Sequence, residues 1–232
     1  MHDYLPKDDA KHMLPFILAI AFLLFAFGAI AQNVETGASF AFDHAVVLAF
    51  RDAAHPSVPI GPSWLQEAAR DLTSLGSIIV LLVVTFAVSG YLFLVRKNAA
   101  AWVVLSAALS GIGLNELLKL MFDRPRPDMI YQATRVFTPS FPSGHAELSA
   151  ITYLTIAALL AQSQASFKIG LYFIAVAVLL TILIGVSRIY LGVHFPTDVL
   201  GGWSIGAAWA LGFWALMRWL YGGYQVKPTG SA

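Results

Sequence analysis

Six long stretches of this chain contain no charged residue, and they constrain its fold more than any other feature. Each is close to the ~20 residues that a helix needs to cross the hydrocarbon core of a membrane. Because unpaired backbone groups are costly in lipid, such stretches fold as membrane-spanning helices. The sequence therefore predicts an all-α, polytopic membrane protein with six transmembrane helices. The predicted spans are 13–34, 72–95, 98–115, 148–167, 169–187 and 199–217.

The composition narrows the possible functions. Hydrophobic residues make up 58% of the chain and charged residues 12%, about half the charged share of a typical soluble domain. The net charge of +1 gives no basis for nucleic-acid binding, which needs concentrated positive charge. The chain has no cysteine, so disulfides, thiolate metal sites and a cysteine nucleophile are excluded.

The first apolar run has a signal-peptide feature, because residues 29–31 read Ala-Ile-Ala, which could be a cleavage site. Its leader is not net positive and the run is unusually long, so we predict a retained helix. Basic residues in the short connections at 96–98 and near 168 favour cytoplasmic termini. Residues 1–12 are then a cytoplasmic N-terminus, 35–71 an outer-face interfacial segment and 221–232 a flexible tail.

Two polar loops must share one face of the membrane. The loop at 121–145 follows the third predicted span and the loop at 188–198 follows the fifth, so two crossings separate them. Nearly all the unusual polar residues lie in these loops, and residues 115–200 therefore form the candidate catalytic region.

The first polar motif is KLMFDRPRPD. Lys119 ends a span, and Arg126 follows seven residues later in a segment that the flanking prolines hold extended. Such cations are often simple membrane-interface residues. They can also bind a phosphate together, with arginine as a planar fork and lysine as a point charge. Both interpretations stay open here, as does the role of the additional Arg124.

The second motif lies in FPSGHAELSA. Ser143 is predicted to cap the next helix by accepting a hydrogen bond from a backbone N–H two or three residues on. A capping box would need Glu or Gln at position 146, so Glu147 is only a first-turn acid that suits the helix dipole. Capping leaves Gly144 and His145 unexplained. A Ser-Gly turn at a helix start also exposes N–H groups that bind anions, and His145 would lie beside such an anion.

The third motif is SRIYLGVHFPTD. Arg188 ends the fifth span, and His194 and Asp198 follow at intervals of six and four residues. Pro196 suits the first position of the last helix, so Asp198 lies in its first turn and its carboxylate could reach His194. A carboxylate that binds one imidazole nitrogen leaves the other free as a nucleophile. A simple helix-dipole role for Asp198 is the alternative, and both can hold.

Together these motifs resemble the three motifs of the type 2 phosphatidic acid phosphatase superfamily. Its pattern is Lys-x6-Arg-Pro, then Pro-Ser-Gly-His, then Ser-Arg-x5-His-x3-Asp. The chain matches it without a gap at 119–127, 142–145 and 187–198. The six-span layout extends the resemblance to most of the chain.

The resemblance implies a role for each motif residue. His194 would attack phosphorus and form a phosphohistidine, Asp198 would orient His194, and His145 would protonate the leaving group and then activate water. No metal or other cofactor is implied, because cations take the place of Mg²⁺. The resemblance places the site at the outer, periplasmic face of a bacterial inner membrane. The implied phosphate-binding residues are Lys119, Arg126, Ser143, Gly144 and Arg188.

The implied substrate is a lipid phosphate or diphosphate, because the site lies where lipid headgroups lie. The resemblance leaves open undecaprenyl diphosphate, phosphatidylglycerophosphate, phosphatidic acid and the phosphates of lipid A. It also leaves open a phosphotransferase that passes the phosphoryl group to a second lipid, and a non-catalytic binding or transport protein. Membrane lipids are the expected surroundings, with no nucleic acid and no obligatory protein partner.

The outer-face segment 35–71 has apolar residues suited to a helix that lies in the membrane interface. One hypothesis is that this segment roofs the site or guides lipid entry, and the alternative is a simple connector. Its candidate apolar contacts are Phe40, Phe42, Val46, Val47 and Phe50.

Overall fold

The computed structural model describes residues 7–128 and 138–220, and within these ranges the regular structure is helical. An isolated bridge between Arg51 and Pro59 is the one β pairing of the described chain. The predicted all-α fold is confirmed, while the predicted flexible tail at 221–232 lies outside the described residues. The helices are α1 (Lys7–Glu35), α2 (Phe40–Ala49), α3 (Ser63–Ser74), α4 (Ile78–Leu94), α5 (Asn98–Phe122), α6 (Gly144–Gln162), α7 (Phe167–Tyr190) and α8 (Pro196–Leu220).

Five of these helices are long and apolar enough to cross a membrane, namely α1, α5, α6, α7 and α8. The predicted span at 72–95 is instead a broken one, in which α3 and α4 meet at 47°. The break falls just before Ser77, whose hydroxyl accepts a hydrogen bond from Val80 N at 3.4 Å and so starts a new helix at α4. Counted as one span, the bent pair brings the total to the six that the sequence predicts.

Helix α5 runs further than its predicted span, which stops at residue 115. It continues past Lys119 to Phe122 and ends at Asp123, whose backbone is left-handed with φ 38°. Aspartate tolerates this conformation better than most residues. As a result Lys119 lies in the last helical turn, directly before the loop that carries Arg126.

Helix α6 lies at the centre of the bundle and packs against both α7 and α8. Glycines on α8 allow a close crossing with α6. A Cβ on Gly206 would lie 2.5 Å from Glu147 O, and one on Gly202 would lie 2.7 Å from Ser143 O. Small residues at such crossings are the usual means of close helix packing in membranes. This crossing brings the start of α6 and the start of α8, which carry the second and third motifs, to the same end of the bundle.

Segment 35–71 packs on that same end. Arg51 Nη2 donates to Tyr190 O at 2.7 Å, and the Tyr190 hydroxyl donates to Ile60 O at 2.8 Å. A buried apolar cluster of Ala69, Tyr190, Leu191 and Val193 completes the contact.

The five apolar residues of segment 35–71 that were predicted as interfacial contacts differ in how exposed their side chains are. Val47 is buried, residues 46 and 50 are half-buried, and Phe40 and Phe42 are exposed. Helix α2 therefore has one side packed on the protein and another available to the membrane surface.

Candidate active site

A tight turn between α7 and α8 presents His194. Gly192 has φ 70°, a conformation that glycine adopts without strain. The His194 side chain is buried, and its Nδ1 lies 3.3 Å from Asp198 Oδ2. The same carboxylate oxygen accepts a hydrogen bond from Phe195 N at 2.9 Å.

The partners of His194 define its tautomer. The Asp198 carboxylate can only accept a hydrogen bond, so His194 Nδ1 must carry a hydrogen. The Arg126 guanidinium can only donate, so His194 Nε2, which lies 3.0 Å from Arg126 Nη1, must accept. The imidazole is therefore neutral, with its proton on Nδ1 and its lone pair on Nε2 facing the guanidinium. Burial, followed by the positive charges of Arg126, Arg188 and Lys119, lowers the pKa of His194 well below its usual 6.5. The ring consequently stays in its nucleophilic form at neutral pH.

Arg126 is held by backbone carbonyls on two sides of the site. Its Nε donates to Thr138 O at 2.6 Å, and its Nη1 donates to Val193 O at 2.6 Å. Burial lowers the pKa of Arg126 to about 10. The negative charge of Asp198 acts in the opposite direction and limits this decrease. The guanidinium therefore remains positive at neutral pH and lies beside the lone pair of His194.

The remaining cations and His145 meet at this point. Arg188, in the last turn of α7, donates from Nη1 to Thr73 Oγ1 at 3.0 Å. His145, in the first turn of α6, has electrostatic interactions with His194 and with Arg188, Lys119 and Arg126. The three sequence motifs, which come from different helices, thus converge on one site.

The start of α6 differs from its predicted capping. Ser143 occupies the N-cap position, but its hydroxyl makes no cap hydrogen bond, so that prediction is wrong. The segment is fixed by the backbone instead, because Ser143 N donates to Asp198 O at 3.0 Å. Ser143 Oγ and Arg188 Nε are buried and have no hydrogen-bond partner within the described part of the chain. Both atoms belong to residues predicted to bind phosphate.

Gly144 is required by a close neighbour on α5. A Cβ at this position would lie 2.9 Å from Asn115 Oδ1. Asn115 in turn donates from Nδ2 to Glu147 Oε2 at 2.6 Å. Glu147 is therefore a buried residue that ties α6 to α5, in addition to being a first-turn acid.

The sequence motifs leave the role of Arg124 open and do not single out Asp43 or Thr197, and the structure joins these residues beside the site. Arg124 Nη1 donates to Asp198 Oδ1, and its Nη2 donates to Asp43 Oδ2 at 2.7 Å. Asp43 is fully buried and also binds Thr197. The sequence does contain a signal, since Asp43 is the one acid of helix α2, whose other residues apart from His44 are apolar.

This helical membrane bundle, with two histidines, a carboxylate and several cations at one end, defines a phosphoryl-transfer enzyme. The model of the PAP2 superfamily matches residues 99–221, and the chain belongs to that superfamily. The resemblance to type 2 phosphatidic acid phosphatases is thereby confirmed, and the chain is an integral-membrane phosphatase.

Curated relatives and a solved structure show the same relationship. Phosphatidylglycerophosphatase B of Bacillus subtilis is 34% identical over 198 residues, covering 83% of this chain and 89% of the relative. Undecaprenyl-diphosphatase of Sulfolobus acidocaldarius is 31% identical over 101 residues, covering 41% of this chain and 45% of the relative. The crystal structure of a transmembrane PAP2-type phosphatidylglycerolphosphate phosphatase from Bacillus subtilis has a TM-score of 0.78 at 30% identity, covering 87% of this chain and 96% of that chain.

Proposed function

We propose that the protein hydrolyses a lipid phosphate or diphosphate through a phosphohistidine formed on His194. The arrangement of His194 carries the proposal. Its Nδ1 is bound by Asp198, and its Nε2 lies 3.0 Å from the Arg126 guanidinium. A phosphoryl oxygen that takes over the Arg126 Nη1 hydrogen from Nε2 would leave the lone pair free and would place phosphorus next to it, as in-line attack requires.

The reaction has two steps. His194 Nε2 attacks phosphorus, the bond from phosphorus to the lipid oxygen breaks, and His145 donates a proton to the departing oxygen. Water then attacks the phosphohistidine, His145 takes its proton, and inorganic phosphate leaves with His194 restored. Asp198 stabilises the positive charge on His194. The phosphoryl oxygens are bound by Lys119, Arg126, Arg188, Ser143 and the Gly144 N–H.

Phosphatidylglycerophosphate is the substrate we propose first. The support is the relative named phosphatidylglycerophosphatase B, whose alignment covers 83% of this chain. Undecaprenyl diphosphate is the second candidate, supported by a relative whose alignment covers 41% of the chain. Phosphatidic acid and the phosphates of lipid A complete the set to be compared.

We place the site at the outer, periplasmic face of a bacterial inner membrane. Basic residues in the short connections at 96–98 and near 168 support this orientation. The exposed Phe40 and Phe42 on α2 suit the headgroup region of that face. In this arrangement α2 and α3 lie over the catalytic loop and guide lipids toward it.

The decisive experiment measures phosphate release from each candidate lipid by the purified protein and by His194→Ala and His145→Ala variants. We expect His194→Ala to reduce turnover by about 10⁴-fold or more, as loss of a nucleophile does in other covalent enzymes. It should also abolish the acid-labile phosphoenzyme. His145→Ala should slow turnover and let the phosphoenzyme accumulate.

The matched control is His55→Ala, because the His55 side chain is 77% exposed and should be dispensable. A phosphoenzyme that forms normally in His194→Ala would contradict the proposed nucleophile. Labelled phosphate appearing on an acceptor lipid would identify a phosphotransferase. Binding of the lipids without phosphate release would identify a binding protein.

A further inference from the structure

A buried polar network lies behind the catalytic carboxylate, and it consists of Asp43, Arg124, Thr197 and Asp198. We call it the Asp43 network. Arg124 bridges two carboxylates, since Nη1 donates to Asp198 Oδ1 and Nη2 donates to Asp43 Oδ2 at 2.7 Å. Arg124 Nη1 also donates to Thr197 Oγ1 at 2.9 Å.

Asp43 binds the first turn of α8 directly as well. Its Oδ1 accepts from Thr197 N at 3.1 Å, and its Oδ2 accepts from Thr197 Oγ1 at 2.6 Å. The Thr197 hydroxyl therefore donates to Asp43 and accepts from Arg124, which uses its single proton consistently. Three elements meet here, namely helix α2, the loop after α5 and the start of α8.

The burial of these groups makes their geometry restrictive. Asp43 and Asp198 are fully buried, and the Arg124 side chain is 10% exposed. The Arg124 guanidinium carbon also lies 4.5 Å from the centre of the Phe195 ring. Removing one partner from such a buried charge set leaves the others uncompensated, and a lysine could not bridge both carboxylates as the planar fork does.

We propose that Arg124 and Asp43 are positioning residues for the nucleophile, an inference that rests on the proposed role of His194. The two oxygens of Asp198 have divided tasks. Oδ2 binds His194 Nδ1 and Phe195 N, while Oδ1 binds Arg124. With both oxygens bound, the carboxylate cannot rotate, and His194 keeps the orientation that aims Nε2 at phosphorus.

This role assigns α2 to the catalytic scaffold. Asp43 is separated from Arg124 by 81 residues and from Thr197 by 154 residues along the chain. Its contacts nevertheless hold Thr197, in the first turn of α8. Groups that hold a functional histidine's partner in this way are known to affect activity strongly at metal sites.

The test compares Asp43→Asn and Arg124→Lys, alone and combined, in the full-length protein. We expect each single variant to lower kcat by about 10- to 100-fold, the range for loss of such supporting partners, with KM changed little. This is below the roughly 10⁴-fold loss seen when the orienting acid of a triad is itself replaced. The loss of kcat in the double variant should be much smaller than the product of the two single-variant losses, because both changes break the same set of contacts.

Single-turnover measurements should show that phosphoenzyme formation is the step that slows. The matched control is Asp123→Asn, which removes the same charge at the exposed neighbour of Arg124 and keeps a left-handed backbone that asparagine tolerates. The Asp123→Asn variant should match the wild type in kcat and in the rate of phosphoenzyme formation. If Asp43→Asn fails to fold, Thr197→Val preserves side-chain shape, removes the shared hydroxyl and should show the same kcat loss.

Unchanged kcat in these variants, or a rise in KM with kcat preserved, would overturn the positioning role. Such a result is distinguishable from failure of the proposed function. If His194→Ala still abolishes the phosphoenzyme, only the Asp43 network is rejected. If His194→Ala forms it normally, the nucleophile itself is rejected.

Discussion

At the scale of single residues, the site keeps its imidazole neutral next to a concentration of positive charge. The cations that would bind phosphate also lower the pKa of His194, after the larger effect of its burial. Asp198 acts in the opposite sense on the ring, because a carboxylate favours the imidazolium. A phosphate dianion entering the site would reduce the repulsion and so help the ring bear positive charge once it is phosphorylated.

The pH dependence of kcat/KM should reflect this environment. His194 must be unprotonated to attack, and its lowered pKa means that it stays unprotonated as the pH falls through 6.5. We therefore expect the ionisation of His194 to lower kcat/KM only at a pH well below 6.5, with the loss growing as the pH falls further. The measurement is a kcat/KM profile with a water-soluble short-chain lipid phosphate whose own second ionisation, at about pH 6, is titrated separately and divided out. An enzyme ionisation at or above pH 6.5 on the acid side of the corrected profile that disappears in no variant but His194→Ala would contradict the inferred environment.

At the scale of secondary structure, the crossing of α6 and α8 determines whether the motifs meet. Ser143 at the start of α6 donates its backbone N–H to Asp198 O in the first turn of α8. Further along, Gly202 and Gly206 permit the two helices to approach closely. A larger side chain at this crossing would separate the turn proposed to bind phosphate, at Ser143 and Gly144, from the proposed nucleophile His194.

Gly206→Ala tests the importance of this crossing. Its new Cβ would lie 2.5 Å from Glu147 O and 2.9 Å from Ala150 Cβ, so the helices must shift apart. Overpacking of this kind typically costs about 1–3 kcal/mol, and we expect a lower Tm together with reduced phosphate release. Gly212→Ala is the control on the same helix, because a Cβ there meets no atom within 4 Å. Equal Tm values and equal phosphate release in the two variants would show that α6 and α8 can move apart at this crossing without loss of stability or activity.

The sequence predicted the convergence of the motif residues better than the contacts that support them. His194 and Asp198 are close in sequence, and the shared membrane face of the two loops follows from counting spans, so their convergence with His145 could be foreseen. Asp43 could not be paired with Arg124, because 81 residues separate them and no periodicity links them.

The break before α4 could not be predicted, because residues 72–77 carry no charge and the apolar run therefore continues through a change of backbone direction. The Ser143 prediction failed because the backbone contact with Asp198, not the hydroxyl, fixes that end of α6.

At the scale of the whole molecule, the surface is that of a protein surrounded by lipid. Large apolar side chains project from several helices, including Phe25 at 75% exposed, Ile79 at 77% and Leu120 at 78%. Soluble monomers rarely display apolar surface on this scale. The buried charged side chains of the described chain are collected at the end of the bundle that carries the site, and orientation in the membrane therefore determines which lipid leaflet can supply substrate.

The absence of native cysteine makes this orientation directly measurable. We expect a His55→Cys variant, at an exposed position of segment 35–71, to react with a membrane-impermeant maleimide in intact cells. A Lys168→Cys variant, in the exposed first turn of α7, should react only after permeabilisation. The reverse labelling pattern would place the site on the cytoplasmic face.

The Asp43 network also has a consequence for biogenesis. Its members come from the second helix of the chain, from the loop after α5 and from the first turn of the last helix. A ribosome-bound chain that has inserted only α1 to α7 has no folded Asp198 beside His194 and leaves Asp43 and Arg124 without their α8 partners. Under the proposed mechanism, catalytic competence therefore begins only with the insertion of α8, so a partly synthesised protein cannot act on membrane lipids.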